Sequence, residues 1–215
     1  MKKAFTILEL IFVIVAIGII SAIAFPRMGN GKLQKAADQV VSHIRYTQHL
    51  AMVDDKYDSN DPNWFVERWT ISFGTTVENN GWIYDIASDQ NDNNSNSDLV
   101  DIARNPLNPN KVLSGWLFFG NAAYSREMDL RNEYGIQNVT FSNSCASGSI
   151  QWEMLSFDHL GRPYRGNPHT QTAPLSSTIN PQARLILNDC NITLTNSEGS
   201  AIIGIEPETG YARIL

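Results

Sequence analysis

One carboxylate lies in the most apolar stretch of the chain and is its clearest candidate for chemistry. From Phe5 to Phe25 the residues are apolar or small, apart from Thr6, Ser21 and Glu9. An acid surrounded by hydrocarbon is costly unless a positive group neutralises it. The best candidate for that group is the free amino terminus of a neighbouring copy, so the sequence predicts that Glu9 serves assembly.

The two cysteines, Cys145 and Cys190, lie far from any spacing that is typical of metal ligands. In an oxidising compartment the simplest interpretation is one disulfide, and two unpaired buried thiols are the alternative. A bridge that closes a loop of about 46 residues would stabilise the fold by roughly 4 kcal/mol on the chain-entropy model.

The other polar residues form no catalytic or cofactor pattern. The sequence has no nucleophile elbow, P-loop or dinucleotide fingerprint, and its histidines are scattered at positions 43, 49, 159 and 169. Residues 88–98 alternate Asx and Ser as a calcium loop does, but they lack its glycine and its final glutamate, which favours a surface loop. We therefore predict no enzyme, no metal site and no cofactor.

The charge balance is acidic, with a net charge of −6 for the chain. Loss of Lys2 and Lys3 from the start would take it to −8, by subtraction of two positive charges from −6. Such a balance disfavours a general affinity for nucleic acid or anionic lipid.

Helical periodicity extends beyond the apolar run. A 21-residue helix from Phe5 to Phe25 would rise roughly 31 Å, about the thickness of a bilayer core, and Lys2 and Lys3 would place its start in the cytoplasm. Apolar residues then recur at three- and four-residue steps at positions 33, 37, 40, 41, 44 and 51. These patterns predict one long helix from Phe5 to Val53, with a separate helix after a turn at residues 29–31 as the alternative.

Period-two patterns begin after this helix. They predict strands at 64–73, 82–86, 115–120, 135–142, 150–158, 183–188, 191–196 and 201–206, with a hairpin turn at 79–81. The predicted fold class is α+β, with the long N-terminal helix packed on a mainly antiparallel sheet domain. The predicted divisions are a leader at 1–4, an apolar helix at 5–26, its amphipathic continuation at 27–53 and a β-rich domain at 54–215.

The N-terminus MKKAFTILELIF, followed by an apolar run to Pro26, resembles that of type IV pilins and pseudopilins. The resemblance implies cleavage by a prepilin peptidase between Ala4 and Phe5, with N-methylation of Phe5, and Glu9 then becomes the fifth mature residue. Ala4 stands where glycine is usual in that family. An ordinary secretory signal, with a cleavage site of the A-x-A type at 22–24, and a plain single-pass anchor are the competing interpretations.

Segments 32–52, 155–163 and 203–214 are similar to elements of minor pseudopilins of the GspH and FimT type. The resemblance implies a structural subunit of a type II secretion pseudopilus or a type IV pilus that acts in fibre assembly and protein secretion. Its partners would be other pilin subunits, the prepilin peptidase and, before assembly, the bacterial inner membrane, with the C-terminal domain in the periplasm.

A DNA-binding minor pilin of natural transformation is the alternative function. FimT-type proteins that bind DNA carry a C-terminal G-R-x-R element, and here Gly210 to Arg213 spell G-Y-A-R. One of the two arginines is therefore missing, and nucleic acid is not the expected partner.

Overall fold

The computed structural model describes residues 7–24, 31–61, 64–77, 79–89, 99–116, 123–147, 152–168 and 184–215. Three α-helices are present in these ranges, namely α1 (Ile7–Ala24), α2 (Gly31–Val53) and α3 (Leu130–Tyr134). The strands are β1 (Thr70–Thr76), β2 (Gly81–Ala87), β3 (Arg104–Asn105), β4 (Asn108–Val112), β5 (Asn138–Phe141), β6 (Trp152–Phe157), β7 (Pro163–Arg165), β8 (Cys190–Asn196), β9 (Gly199–Ile205) and β10 (Ala212–Ile214).

The strands form two four-stranded sheets and one hairpin. The first sheet has the order β2-β1-β6-β7, the second has the order β10-β9-β8-β5, and β3 pairs with β4. Every pairing of these strands is antiparallel. In β8 the inward side chains alternate with outward ones, as expected for a strand with one face on the core.

Helix α2 lies against both sheets. Its apolar stripe is buried at Leu33, Ala37, Val40, Ile44 and Ala51, which confirms the predicted three- and four-residue period. The helix contacts β1 and β6 of the first sheet and β8, β9 and β10 of the second. One helix face therefore closes the core that the two sheets share.

The prediction of one long N-terminal helix packed on the sheet domain is wrong. Helix α1 ends at Ala24 and α2 begins at Gly31, so the first two helices have 18 and 23 residues, and the third has only five. The sequence between them contains Pro26, which lacks the N–H of a helical hydrogen bond, and glycine, which weakens a helix. The described fold consists mostly of antiparallel sheet with three short helices, and the alternative of a separate second helix agrees with it.

Several predicted strands differ from those observed. Residues 64–67 form a 3₁₀ turn, because Phe65 and Val66 are buried next to each other rather than on alternate faces, and β1 begins at Thr70. Near residues 183–188, Leu185 makes only an isolated bridge with Tyr164. Residues 117–120 of the predicted strand at 115–120 lie outside the described ranges. The other predicted strands correspond to β2, β5, β6, β8 and β9.

Candidate assembly surface

Helix α1 exposes apolar side chains on all of its faces. Every side chain from Ile7 to Ile20 is exposed, and Ile7 and Phe12 keep 80% and 69% of their accessible surface. Eleven of these side chains are large and apolar. Soluble chains rarely leave so much contiguous apolar surface uncovered unless a partner binds it. We therefore consider α1 the candidate functional surface.

The described helices do not support the predicted membrane anchor. Within the ranges that the structure describes, no helix combines the length and the apolar content needed to cross a membrane. The predicted location, a single-pass protein of a bacterial inner membrane with a periplasmic C-terminal domain, is therefore corrected.

The predicted processing and assembly residues lie at the start of the chain. Glu9 lies in the first turn of α1, where the partial positive charge of a helix N-terminus favours a carboxylate. Its side chain is exposed and so is accessible to another copy. Ala4 and Phe5, the residues on either side of the predicted cleavage, lie outside the described ranges.

Cys145 and Cys190 form the predicted disulfide. Both cysteines are fully buried and their Cα atoms are 5.5 Å apart, so the bridge ties the turn after β5 to the first residue of β8. Ser142 supports the same junction, since its hydroxyl accepts a hydrogen bond of 3.0 Å from the backbone N–H of Asn191. The disulfide is structural, and both of its cysteines belong to the hydrophobic core that α2 closes.

The outer face of α2 holds two turns, one between β6 and β7 and one near the end of the chain. Arg45 donates from Nε and Nη2 to the carbonyl oxygen of Ala212 at 3.0 and 2.8 Å. Gln48 donates to the carbonyl oxygens of Gly161 and Thr209 at 2.8 and 2.7 Å. The sequence pattern places Arg45 only on the polar face of the helix, and no local signal could reveal its partner, which is 167 residues away.

Gly210 is required at this junction. Its φ of +67° lies in the left-handed region, and a Cβ there would lie 2.6 Å from the carbonyl oxygen of Gly161. Glycine alone allows the two turns to approach this closely.

Arg213, the arginine of the DNA-binding alternative, forms an ion pair with Glu206, the residue that follows the neighbouring strand β9. The nearby Arg45 guanidinium is also engaged, on the Ala212 carbonyl and over the Tyr211 ring at 5.1 Å. Both cations at this end therefore have intramolecular partners. This arrangement does not favour phosphate binding.

Two buried titratable groups lie on α2 and β2, His43 on the helix and Asp85 on the strand. Burial lowers the pKa of His43 to about 4, and its Nδ1 lies 2.8 Å from the hydroxyl of Tyr84. Burial raises the pKa of Asp85, the next residue, to about 7, although a hydrogen bond from Ser72 opposes the shift. Both side chains are more than nine-tenths covered. At neutral pH the His43 ring is therefore uncharged, and Asp85 is close to half protonated.

A buried arginine occupies the end of the first sheet. The guanidinium of Arg68 lies over the rings of Tyr164 and Trp64, at 3.9 and 4.9 Å from their centroids. The Tyr164 hydroxyl donates to Asp158 at 3.0 Å, and Arg162 pairs with the same carboxylate at 2.8 Å. Stacking of this kind stabilises a desolvated cation, and we assign the cluster a structural role.

The histidines do not converge on a metal site. In the described part of the chain, no group of three His, Cys, Asp or Glu side chains could hold a metal ion. His159 lies 3.8 Å from Asp55, and His169 is outside the described ranges. Most of the Asx-Ser tract, residues 90–98, is also outside them.

No family model, curated protein or solved structure matches the chain.

Proposed function

We propose that this chain is a structural subunit of a pilin-like fibre, either a minor pseudopilin or a minor pilin, that assembles with other pilin subunits through α1. Its role is mechanical: it adds a β-rich domain to the fibre and contributes to protein secretion. The N-terminal sequence resemblance and the exposed apolar helix support this proposal.

The observation that carries the proposal is the uncovered apolar surface of α1. Burial of one large apolar side chain contributes about 1.5–3 kcal/mol. Eleven such side chains are exposed on this helix, so even partial burial between copies would drive association strongly. A helix that is apolar on all faces is suited to the interior of a helical bundle, where neighbours surround it.

Glu9 would set the register of that bundle. Its carboxylate would accept a hydrogen bond from the amino terminus that cleavage creates on an adjoining subunit. An ion pair in an apolar bundle is specific, because a neighbour shifted along the axis would leave the acid unpaired at a large cost.

Processing is tested by the mass of the mature N-terminus after expression of the full chain with a prepilin peptidase. We expect a chain that begins at N-methylated Phe5. A chain that begins at Phe25 would be an ordinary exported protein, and either that result or an intact N-terminus would contradict the proposal.

Assembly is tested by substitutions on the helix and a matched control. We expect Phe12→Asp and Glu9→Ala to abolish incorporation into fibres, measured by co-purification with the major subunit. Leu107 on the β3–β4 hairpin is 93% exposed, so Leu107→Asp introduces the same charge away from α1 and should have no effect. Normal incorporation of both α1 variants, or equal loss in Leu107→Asp, would contradict a role for α1.

A further inference from the structure

A pocket of about 400 Å³ lies beside the edge strand β7 and contains two guanidinium groups. Its described lining consists of Arg165, Arg184, Asn143, Ala146 and Ser147. The assembly surface on α1 does not involve these residues, so the pocket needs a separate explanation.

The backbone brings the two arginines together. The N–H of Arg165 donates to the carbonyl oxygen of Arg184 at 3.0 Å, beside the bridge between Tyr164 and Leu185. Gly166 makes room for the second arginine: its φ is +79°, and a Cβ there would lie 2.6 Å from Nη1 of Arg184. The backbone of the fold therefore places both arginines at this pocket.

The remaining lining residues, which belong to the segment 143–147, are held in place independently. Residues 143–147 are held through the Cys145–Cys190 disulfide, and the Ser147 hydroxyl donates to the carbonyl oxygen of Trp152 at 3.1 Å. Because these lining residues are already held in place, a ligand that binds between the two arginines loses little free energy to ordering of the site.

The charges of the pocket are unbalanced. Within the described ranges, neither guanidinium lies within 4.0 Å of a carboxylate, although the chain has 22 acidic residues against 16 basic ones. Burial, and then the like charge of Arg165, lower the pKa of Arg184. Like charges on opposed backbone segments destabilise a fold, and an anion between them would reverse the sign of that interaction.

We propose that this pocket binds a small free oxyanion, bearing a phosphate or carboxylate group, between Arg165 and Arg184. The planar guanidinium fork matches the paired oxygens of either group and forms charge-assisted hydrogen bonds with them. The side-chain amide of Asn143 lines the same pocket and can donate a further bond. This inference does not depend on the fibre proposal.

Calorimetric titration of the full chain tests the site, with inorganic phosphate as one probe and citrate as the other, at constant ionic strength set with sodium chloride. We expect saturable binding of one anion per chain. Loss of one charge-assisted hydrogen bond weakens binding by about tenfold or more, so Arg165→Gln and Arg184→Gln should each show at least that change. Tighter binding of phosphate or of citrate then identifies the preferred group.

Arg104 provides the matched control, because it is an exposed arginine on a short strand elsewhere. Arg104→Gln should bind the anions as the parent chain does. Absence of saturable binding for both probes, or equal weakening in Arg104→Gln and Arg165→Gln, would overturn the proposal.

Thermal unfolding provides a second readout that a purely structural role would not move. Without anions, Arg165→Gln should raise the melting temperature, because it removes a repulsion. In phosphate the parent chain should melt at the higher temperature, because it binds phosphate more tightly than Arg165→Gln does. A variant that is less stable in both buffers, with no change of the parent arginine Nε–Hε resonances on phosphate addition, would contradict the proposal.

Discussion

Helices α1 and α2 both lie within the first 53 residues of the chain, but they place their apolar side chains in opposite environments. In α2, Val40 and Ile44 are fully buried, and the polar residues lie on the other side. In α1, Ile14 keeps 57% of its accessible surface, and apolar residues cover every face. Helix α2 has buried its apolar side chains in the folded domain, whereas the apolar side chains of α1 are still exposed.

Because of this difference, we expect α2 to determine the stability of the domain and α1 to determine its association with other subunits. Because α2 joins the two sheets, changes to its stripe should lower the free energy of unfolding of the domain. Because α1 is exposed, changes to it should leave that free energy nearly unchanged and alter only association. Substitutions in and around the two helices test whether stability and association depend on different helices.

The largest effect is expected from loss of the disulfide in the core that α2 closes. The cysteines are 45 residues apart, and removal of the bridge by the double substitution Cys145→Ser and Cys190→Ser should cost about 4 kcal/mol of unfolding free energy. Urea denaturation measures the loss, and reduction of the parent chain is its control. Fibre incorporation at a temperature where the domain stays folded should persist. A loss below about 1 kcal/mol would show that the bridge adds little.

One isoleucine on each helix, Ile44 on α2 and Ile14 on α1, tests the difference in stability directly. Ile44→Ala on α2 should cost about 3 kcal/mol, because it leaves a cavity in the core. Ile14→Ala on α1 should change the unfolding free energy by less than about 0.5 kcal/mol, because the side chain is exposed. Chemical denaturation measures both variants. Similar losses in the two would mean that α1 contributes to the folded core, and our division would be wrong.

The pH dependence should reveal two opposing effects, one from His43 on α2 and one from Asp85 on β2. The pKa of His43 falls to about 4 on folding, from an unfolded value near 6.5. Below pH 6.5 the unfolded state therefore binds a proton that the folded state does not, and the free energy of unfolding decreases as pH falls. Between pH 7 and pH 5 this loss is about 2 kcal/mol. The pKa of Asp85 rises to about 7, so its ionisation penalty is relieved over the same interval, with a gain of about 2 kcal/mol.

The parent chain should therefore show nearly constant stability between pH 5 and pH 7, since the two effects cancel. Asp85→Asn should lose about 2 kcal/mol over this interval on acidification, and His43→Gln should gain a similar amount. Urea midpoints at several pH values measure these slopes. Parallel pH profiles for all three chains would show that neither group titrates with a shifted pKa.

The sequence predicts the buried stripe of α2 because the stripe depends only on local period. Leu33, Ala37, Val40, Val41 and Ile44 recur at helical spacing, and all of them are buried. The long-helix prediction is wrong, since α1 and α2 are separate helices. Apolar content continues through Phe25, but the sequence between the two helices contains Pro26 and glycines, and residues of both types lower helix stability.

The pocket and the outer face of α2 could not be predicted in this way. Arg165 and Arg184 are 19 positions apart and meet only through a bridge beside β7. Arg45 bonds to a carbonyl of the last strand. Such contacts are set by tertiary packing, and neither residue type nor spacing carries a signal for them. Glu9, in contrast, is evident from sequence because an acid in an apolar run is unusual wherever the chain folds.

The smallest effect is expected on the exposed side of α2. Arg45 and Lys35 are both exposed on this helix, but only Arg45 donates hydrogen bonds to the Ala212 carbonyl. Arg45→Ala should cost about 1 kcal/mol, the usual net value of such bonds, whereas Lys35→Ala should be neutral within about 0.5 kcal/mol. Hydrogen exchange at the Gly210 amide, which donates to Glu206, should accelerate only in Arg45→Ala. Equal exchange in both variants would mean that the C-terminal turn holds without α2, and that only the buried face of this helix belongs to the domain.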